Sequence, residues 1–342
     1  MASAKAKKAL IAIILIAAIG LLAGGVYLYR ASRPLAGPVS GKSPDVFSLI
    51  PADAPVVVYL DAKTLRTTQS SSLTAIGQLL LPSSQQDPDY SEFVRNTGFD
   101  YSRDLDRAAI AMWPTAPDAA ASASGDNRTL AIADGRFDAA RIKAYALRTG
   151  QTAHHGSDTI YEVPGSPPVS FEFLSAGRVA MASGKSASEL LPSTSSTARD
   201  PAMQARIDRV AGAPVFALAR ADKLPNSLYA SFNNSPQLLR LVRSIQAISL
   251  AGQPQGDNLA LTLDTECDSM KNALELGTLL DGFRMIGSVA LKDPKEQGQL
   301  TKEQAGFLSL LLAKVSVTPQ DRFVRLSIAL TPEMLAGKPA PH

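Results

Sequence analysis

Residues 36–43, AGPVSGKS, have the spacing of a phosphate-binding loop, with Ala36 in the first glycine position. That chemistry needs a strand before the loop and a helix starting at Lys42 and Ser43, so that backbone N–H groups cradle phosphate oxygens. Here an apolar run and a stretch rich in Pro, Gly and Ser come first, and Pro44 follows. The segment reads as a tether. A second Gly-Lys-Ser, at Gly184, Lys185 and Ser186, lacks the upstream glycine and reads as the opening of a helix that holds Leu190 and Leu191.

His154 and His155 are adjacent, and adjacent side chains of a strand face opposite ways and do not share a metal ion. A Ser-His-Asp triad would have to recruit one of them, and no Gly-x-Ser-x-Gly turn exists to present the nucleophile. They read as a surface turn beside Gly156. Cys267 is the only cysteine, which excludes an internal disulfide and a cysteine-based zinc cluster. Its neighbours Glu266 and Asp268 oppose the thiolate that a helix start would favour.

The densest charge cluster is Asp100, Asp104 and Asp106 with Arg103 and Arg107. A calcium loop would add a central Gly and a closing Glu, and neither is there. The cluster reads as a capped turn with local ion pairs, or else as a partner-binding patch. No catalytic, cofactor or metal role is assigned to any residue, and no cofactor is expected.

The chain has 342 residues, 45% hydrophobic and 19% charged, which suits a real core and argues against disorder. Its formal charge of +3 is uneven, because Lys5, Lys7, Lys8 and Arg30 lie in the first thirty residues with no acidic partner. Setting those four aside leaves 30 basic side chains against 31 acidic ones. The basic stripe that nucleic-acid binding needs is missing.

Residues 9–29, ALIAIILIAAIGLLAGGVYLY, contain 21 residues and no charge. As a helix they span about 31 Å, the thickness of a hydrocarbon core. A cleaved signal peptide has a shorter apolar region before a small-residue site; this run is longer and ends in Tyr-Leu-Tyr-Arg. A transmembrane anchor is therefore expected over residues 9–29. The denser basic cluster precedes it, which places residues 1–8 in the cytoplasm and the rest outside.

The elements that would position any site come next. Residues 30–48 read as a flexible tether and 49–191 as a first α+β half. A linker is expected over 192–212, a second α+β half over 213–335, and a disordered tail over 336–342. Residues 54–65 (APVVVYLDAKTL) and 213–224 (APVFALARADKL) agree at five of twelve positions, and each opens a strand after a Pro turn. The spacing predicts helices over 71–81 and 235–251, the latter capped by Ser235 and Pro236. Strands are expected at 130–133 and 259–263, each leading into a helix, then hairpins at 169–182 and 315–330. Thr301 and Gln304 suggest a capping box before a Leu-rich helix at 302–313. Residues 114–128 read as a mobile hairpin loop. The fold class is α+β, with largely antiparallel sheet and helices on one face. A ferredoxin-like arrangement in each half is one form of it, and one continuous sheet shared by both halves is the other.

The stretch IPADAPVVVYLD at 50–61 and TGFDYSRDLDRAAIAMW at 97–113 resemble a loose family of uncharacterised bacterial membrane-anchored ectodomains, described as domains of unknown function. The resemblance covers about a third of the chain. It implies a periplasmic location at the bacterial inner membrane and an α+β fold, and it carries over no active site. The expected function is a non-enzymatic envelope protein that binds a protein partner. Alternatives are a module for a small apolar or lipidic ligand held between the halves, or a hydrolase around His154 or His155.

Overall fold

The computed structural model describes residues 45–68, 88–114, 128–155, 158–163, 168–193, 195–210, 212–224, 229, 232, 235–291, 302–331 and 334. The expected transmembrane segment, the phosphate-loop-like stretch, the helix at 71–81, Thr301 and nearly all of the 114–128 loop lie outside them. No helix among the described residues is long and apolar enough to cross a membrane.

Twelve strands form one sheet in the order β11-β12-β10-β9-β8-β1-β2-β3-β7-β6-β5-β4. The first run of strands is β1 (Val56–Leu60), β2 (Leu105–Trp113), β3 (Arg128–Gly135), β4 (Gln151–His155), β5 (Asp158–Val163), β6 (Val169–Ser175) and β7 (Arg178–Ser183). The second is β8 (Val215–Arg220), β9 (Ile245–Gln255), β10 (Asn258–Cys267), β11 (Ser316–Gln320) and β12 (Phe323–Leu330). The sheet is continuous and antiparallel throughout. A ferredoxin-like unit needs parallel strands joined by a crossover helix, whereas β1 and β2 pair antiparallel despite the helices between them. That arrangement is therefore not the one formed.

The two runs meet at β1 and β8, where Val58 pairs with Ala217. In the alignment of 54–65 with 213–224 these two residues occupy the same position, so the pair lies on a local two-fold axis. Flanking it, Val57 faces Leu218 and Tyr59 faces Phe216. Both ends of the seam close with the same bond, Asp61 N–H to Pro214 O and Arg220 N–H to Pro55 O, each 2.7 Å. Moving outward from the seam, β2 and β9, β3 and β10, β7 and β12, and β6 and β11 take matching places. The register shifts at the matching end of both second pairs, between Leu105 and Arg107 and between Glu266 and Cys267.

Nine α-helices are described: α1 (Ala62–Thr67), α2 (Pro88–Thr97), α3 (Tyr101–Asp104), α4 (Ala139–Thr149), α5 (Ala187–Leu190), α6 (Pro201–Val210), α7 (Pro236–Arg243), α8 (Met270–Ala290) and α9 (Lys302–Lys314). Helices cover both faces of the sheet, not one. On the first face, Leu60, Ala108, Ala131, Val179 and Met181 meet Leu65 of α1, Tyr90 of α2 and Ile142 of α4. On the second, Val57, Tyr59, Ala109, Ile132 and Ala180 meet Leu190 of α5 and Met203, Ile207 and Val210 of α6. In that second layer α5 belongs to the expected first half, α6 to the expected linker, and Val46 and Phe47 to the expected tether. Met203, Ile207 and Val210 recur at helical spacing, and a 3₁₀ turn, Asp45–Leu49, buries Val46 and Phe47. Strands buried on both faces read as continuous apolar runs, as β3 does.

The helix expected at 235–251 stops at Arg243. Ser244 ends it, with its N–H bonding Arg240 O and Leu241 O and its hydroxyl bonding Leu241 O at 2.7 Å. From Ile245 the chain is strand, because β8 on one side and β10 on the other supply its backbone partners. A two-residue Gly256-Asp257 turn, with Gly256 at φ 61°, joins β9 to β10.

Candidate functional site

Ser186 opens α5 as expected, with its N–H and Oγ both bonded to the Glu189 carboxylate at 3.0 and 2.7 Å, but the helix ends at Leu190 and Leu191 is its extended C-cap. His154 and His155 end strand β4, opposite Thr159 and Asp158, and do not form the expected turn. No three His, Cys, Asp or Glu side chains converge on a metal position among the described residues.

Cys267 is fully buried beside Ala273, Leu276 and Val324. Burial pushes its thiol up to about 11, helped by the charges of Asp268 and Glu266 and opposed by a bond with Ser244. The folded chain thus holds a proton that the unfolded chain has lost above the ordinary thiol value. This contribution to stability is complete below that value and disappears as pH rises toward 11. Between the two values, the stability difference between the native chain and Cys267→Ala should change by on the order of 2–3 kcal/mol. Urea unfolding across that range measures it; parallel pH curves for the two proteins would contradict the assignment.

The acidic and arginine-rich cluster does not stay together. Asp106 pairs with Arg66 at 2.9 Å, and Arg107 reaches Asp134 at 3.5 Å. Asp134 also takes a two-pronged bond from Arg178 across the β3–β7 pair, at 2.6 and 3.0 Å. In the second run, Arg325 grips Asp264 across β10–β12 in the same way, at 2.7 Å twice. Glu266 pairs with Arg206 and Arg322. These charges serve the sheet.

Asp100 and Asp104 behave differently. Asp100 caps α3, accepting from Ser102 N–H at 2.9 Å and Ser102 Oγ at 2.7 Å. Asp104 is buried and pairs with Arg103 at 2.6 Å and Arg136 at 3.0 Å. Burial pushes its carboxyl up. The bonds from Arg103 and the Asp100 N–H, with the charges of Arg103 and Arg136, outweigh that and hold it below the usual carboxylate range.

These groups edge a cavity of about 460 Å³ between the ends of α2, β3 and the β6–β7 turn. Phe99 and Phe137 line it, with ring centres 5.8 Å apart. Arg103, Arg136 and Arg141 surround it, and Asp138 caps α4 by accepting from Arg141 N–H at 3.0 Å. Gly98 sits in the left-handed region at φ 75°, and a Cβ there would come within 2.7 Å of Arg141 Nη1. Sequence reasoning found Arg103 and Asp104 but missed Arg136 and Arg141. The available signal was Gly-Arg-Phe-Asp at 135–138, where an apolar strand runs into a capped helix.

A second feature lies on α8. Met270, Leu274, Met285, Ile286 and Val289 are 47–70% exposed, whereas Ala273, Leu276 and Gly277 are buried. Lys271 and Thr278 are exposed among the former, while Ala273, Leu276 and Gly277 pack toward β11 and β12.

No family model matches the chain, and no curated protein matches it. Crystal form III of TP0453 is similar at 10% identity and TM-score 0.40, over 86% of this chain and 98% of that one. Crystal form I of TP0453 is similar at 11% identity and TM-score 0.40, over 84% of this chain and 95% of that one.

Proposed function

We propose that the chain is a single-pass protein of the bacterial inner membrane whose ectodomain binds a protein partner and catalyses no reaction. Residues 9–29 are the anchor, residues 1–8 lie in the cytoplasm, and the sheet stands outside it. The observation that carries the binding role is the set of exposed large apolar side chains along α8. Large apolar side chains left exposed in number mark interaction sites on soluble domains, and here five lie along α8. The charged groups read from the sequence support the same view, since Asp106, Arg107 and their partners are consumed in ion pairs within the fold.

The two runs of strands are read as an internal duplication, on the strength of the matching strand order, the bulges and the two-fold axis at Val58 and Ala217. The resemblance of residues 50–61 and 97–113 to uncharacterised membrane-anchored ectodomains agrees with this reading.

Purification of the full chain from membranes should recover a stoichiometric protein partner. Replacing Met285, Ile286 and Val289 together by Gln should abolish that recovery while leaving the melting temperature nearly unchanged, because these side chains are 47–70% exposed. Recovery of the protein alone, or partner retention by the triple variant, would count against the reading.

A further inference from the structure

The repeated strand frame supplies an internal comparison for the arginine-lined cavity. In the first run, Gly135 N–H bonds Gly177 O and Arg136 N–H bonds Asp104 O. In the second, Cys267 N–H bonds Arg322 O and Asp268 N–H bonds Ser244 O. The backbone is the same, so Arg136 corresponds to Asp268 and Asp104 to Ser244. The helices that follow also match. Asp138 caps α4 by accepting from Arg141 N–H, and Ser269 caps α8 by accepting from Asn272 N–H. Arg141 therefore corresponds to Asn272.

The two places differ in how their side chains are satisfied. In the second run Asn272 Nδ2 donates to Asp268 Oδ1 at 2.7 Å, so the two positions complete each other. In the first run both positions are arginines, and two guanidinium groups cannot do this. Arg141 reaches the backbone oxygen of Arg95 at 3.2 Å. Arg136 bonds Arg103 O and shares the single Asp104 carboxylate with Arg103. Among the described residues, three cations thus ring the cavity against two carboxylates, one of which is occupied capping α4. The side chains of Arg103 and Arg136 are 61% and 59% exposed, so a ligand can reach them from solvent.

We propose that this cavity binds a phosphate-bearing ligand, with Arg136 and Arg141 gripping the oxyanion and Phe99 and Phe137 beside its organic part. A planar carboxylate satisfies one guanidinium fork, whereas a tetrahedral phosphate offers oxygens to several at once. The cavity, at about 460 Å³, is larger than a bare phosphate and leaves space for a small organic group. A soluble phosphate ester and the headgroup of a phospholipid both present this chemistry. The proposal does not rest on the partner-binding role of α8.

The test is a binding titration of the full chain in a zwitterionic detergent, with inorganic phosphate, glycerol 3-phosphate and a short-chain phosphatidylglycerol as probes. Arg141→Gln is the most informative variant, since its guanidinium bonds a backbone carbonyl and its loss should leave the fold intact. Arg136→Gln is the second. Each should weaken binding about tenfold or more, the loss expected for a charge-assisted contact. Arg240→Gln, on α7 and paired with Glu275 away from the cavity, should bind as the native chain does. Arginine-dependent binding of phosphate or glycerol 3-phosphate supports a soluble ligand, and the same dependence seen only with the lipid supports a headgroup. Failure of every probe to bind, or binding indifferent to both Arg141→Gln and Arg136→Gln, overturns the proposal.

Discussion

Replacing Asp134 by Asn should destabilise the protein by about 3–5 kcal/mol, the cost of leaving buried charge without its partner. Asp134, next to last in β3, is almost fully buried, gripped by Arg178 and approached by Arg107. Without its charge, both guanidinium groups remain desolvated, and among the described residues Arg178 keeps its ion pair with the exposed Asp45 side chain at 2.8 Å. Unfolding in urea measures the loss. Changing Arg178 to Met in the same chain should recover part of it, because an apolar replacement removes one of the stranded charges. A double variant less stable than Asp134→Asn alone would contradict this explanation.

The second large effect is expected at Phe47. Its ring is 2% exposed and lies 5.6 Å from Tyr59 and 5.9 Å from Phe216, which themselves stand 5.0 Å apart on facing strands of the seam. One side chain from outside the sheet thus packs across the junction of the two runs. Phe47→Ala should cost about 3–5 kcal/mol, combining lost burial with the cavity left behind. A loss below about 1 kcal/mol would show that the turn is an ornament on the sheet and not part of its core.

Phe47 also shows what the sequence conceals. Residues 30–48 are rich in Pro, Gly and Ser and read as tether, yet Val46 and Phe47 are core. Two apolar residues are too few to show a period, so only the sheet reveals where they go. The stretch 192–212 misleads in the same manner, because its Ser/Thr-rich start masks the three-residue stripe of α6. At Ile245 the error runs the other way: Leu238, Leu241, Val242, Ile245 and Ile248 keep helical spacing, and the pairing available from β8 and β10 overrides it. Where a pattern was long and local the reading was sound. Residues 323–330 alternate and form β12, and residues 302–313 fall within α9.

The cavity was only half legible for a related reason. Arg103 and Asp104 are neighbours in sequence and stand out as a charge cluster. Arg136 and Arg141 arrive more than thirty residues later, through the pairing of β2 with β3. Isolated arginines near a helix start carry no signal of their own. Their meaning comes from the matching positions of the second run, Asp268 and Asn272, and that correspondence is visible only in the register and the backbone bonds.

The most direct test of the whole account is the fate of the full chain in cells that make it. Membranes stripped at alkaline pH should retain the intact polypeptide, beginning upstream of Ala9, and protease added outside the inner membrane should digest the sheet while sparing the first residues. A polypeptide released into the soluble fraction, starting after Tyr29, or cut only from the cytoplasmic side would contradict it.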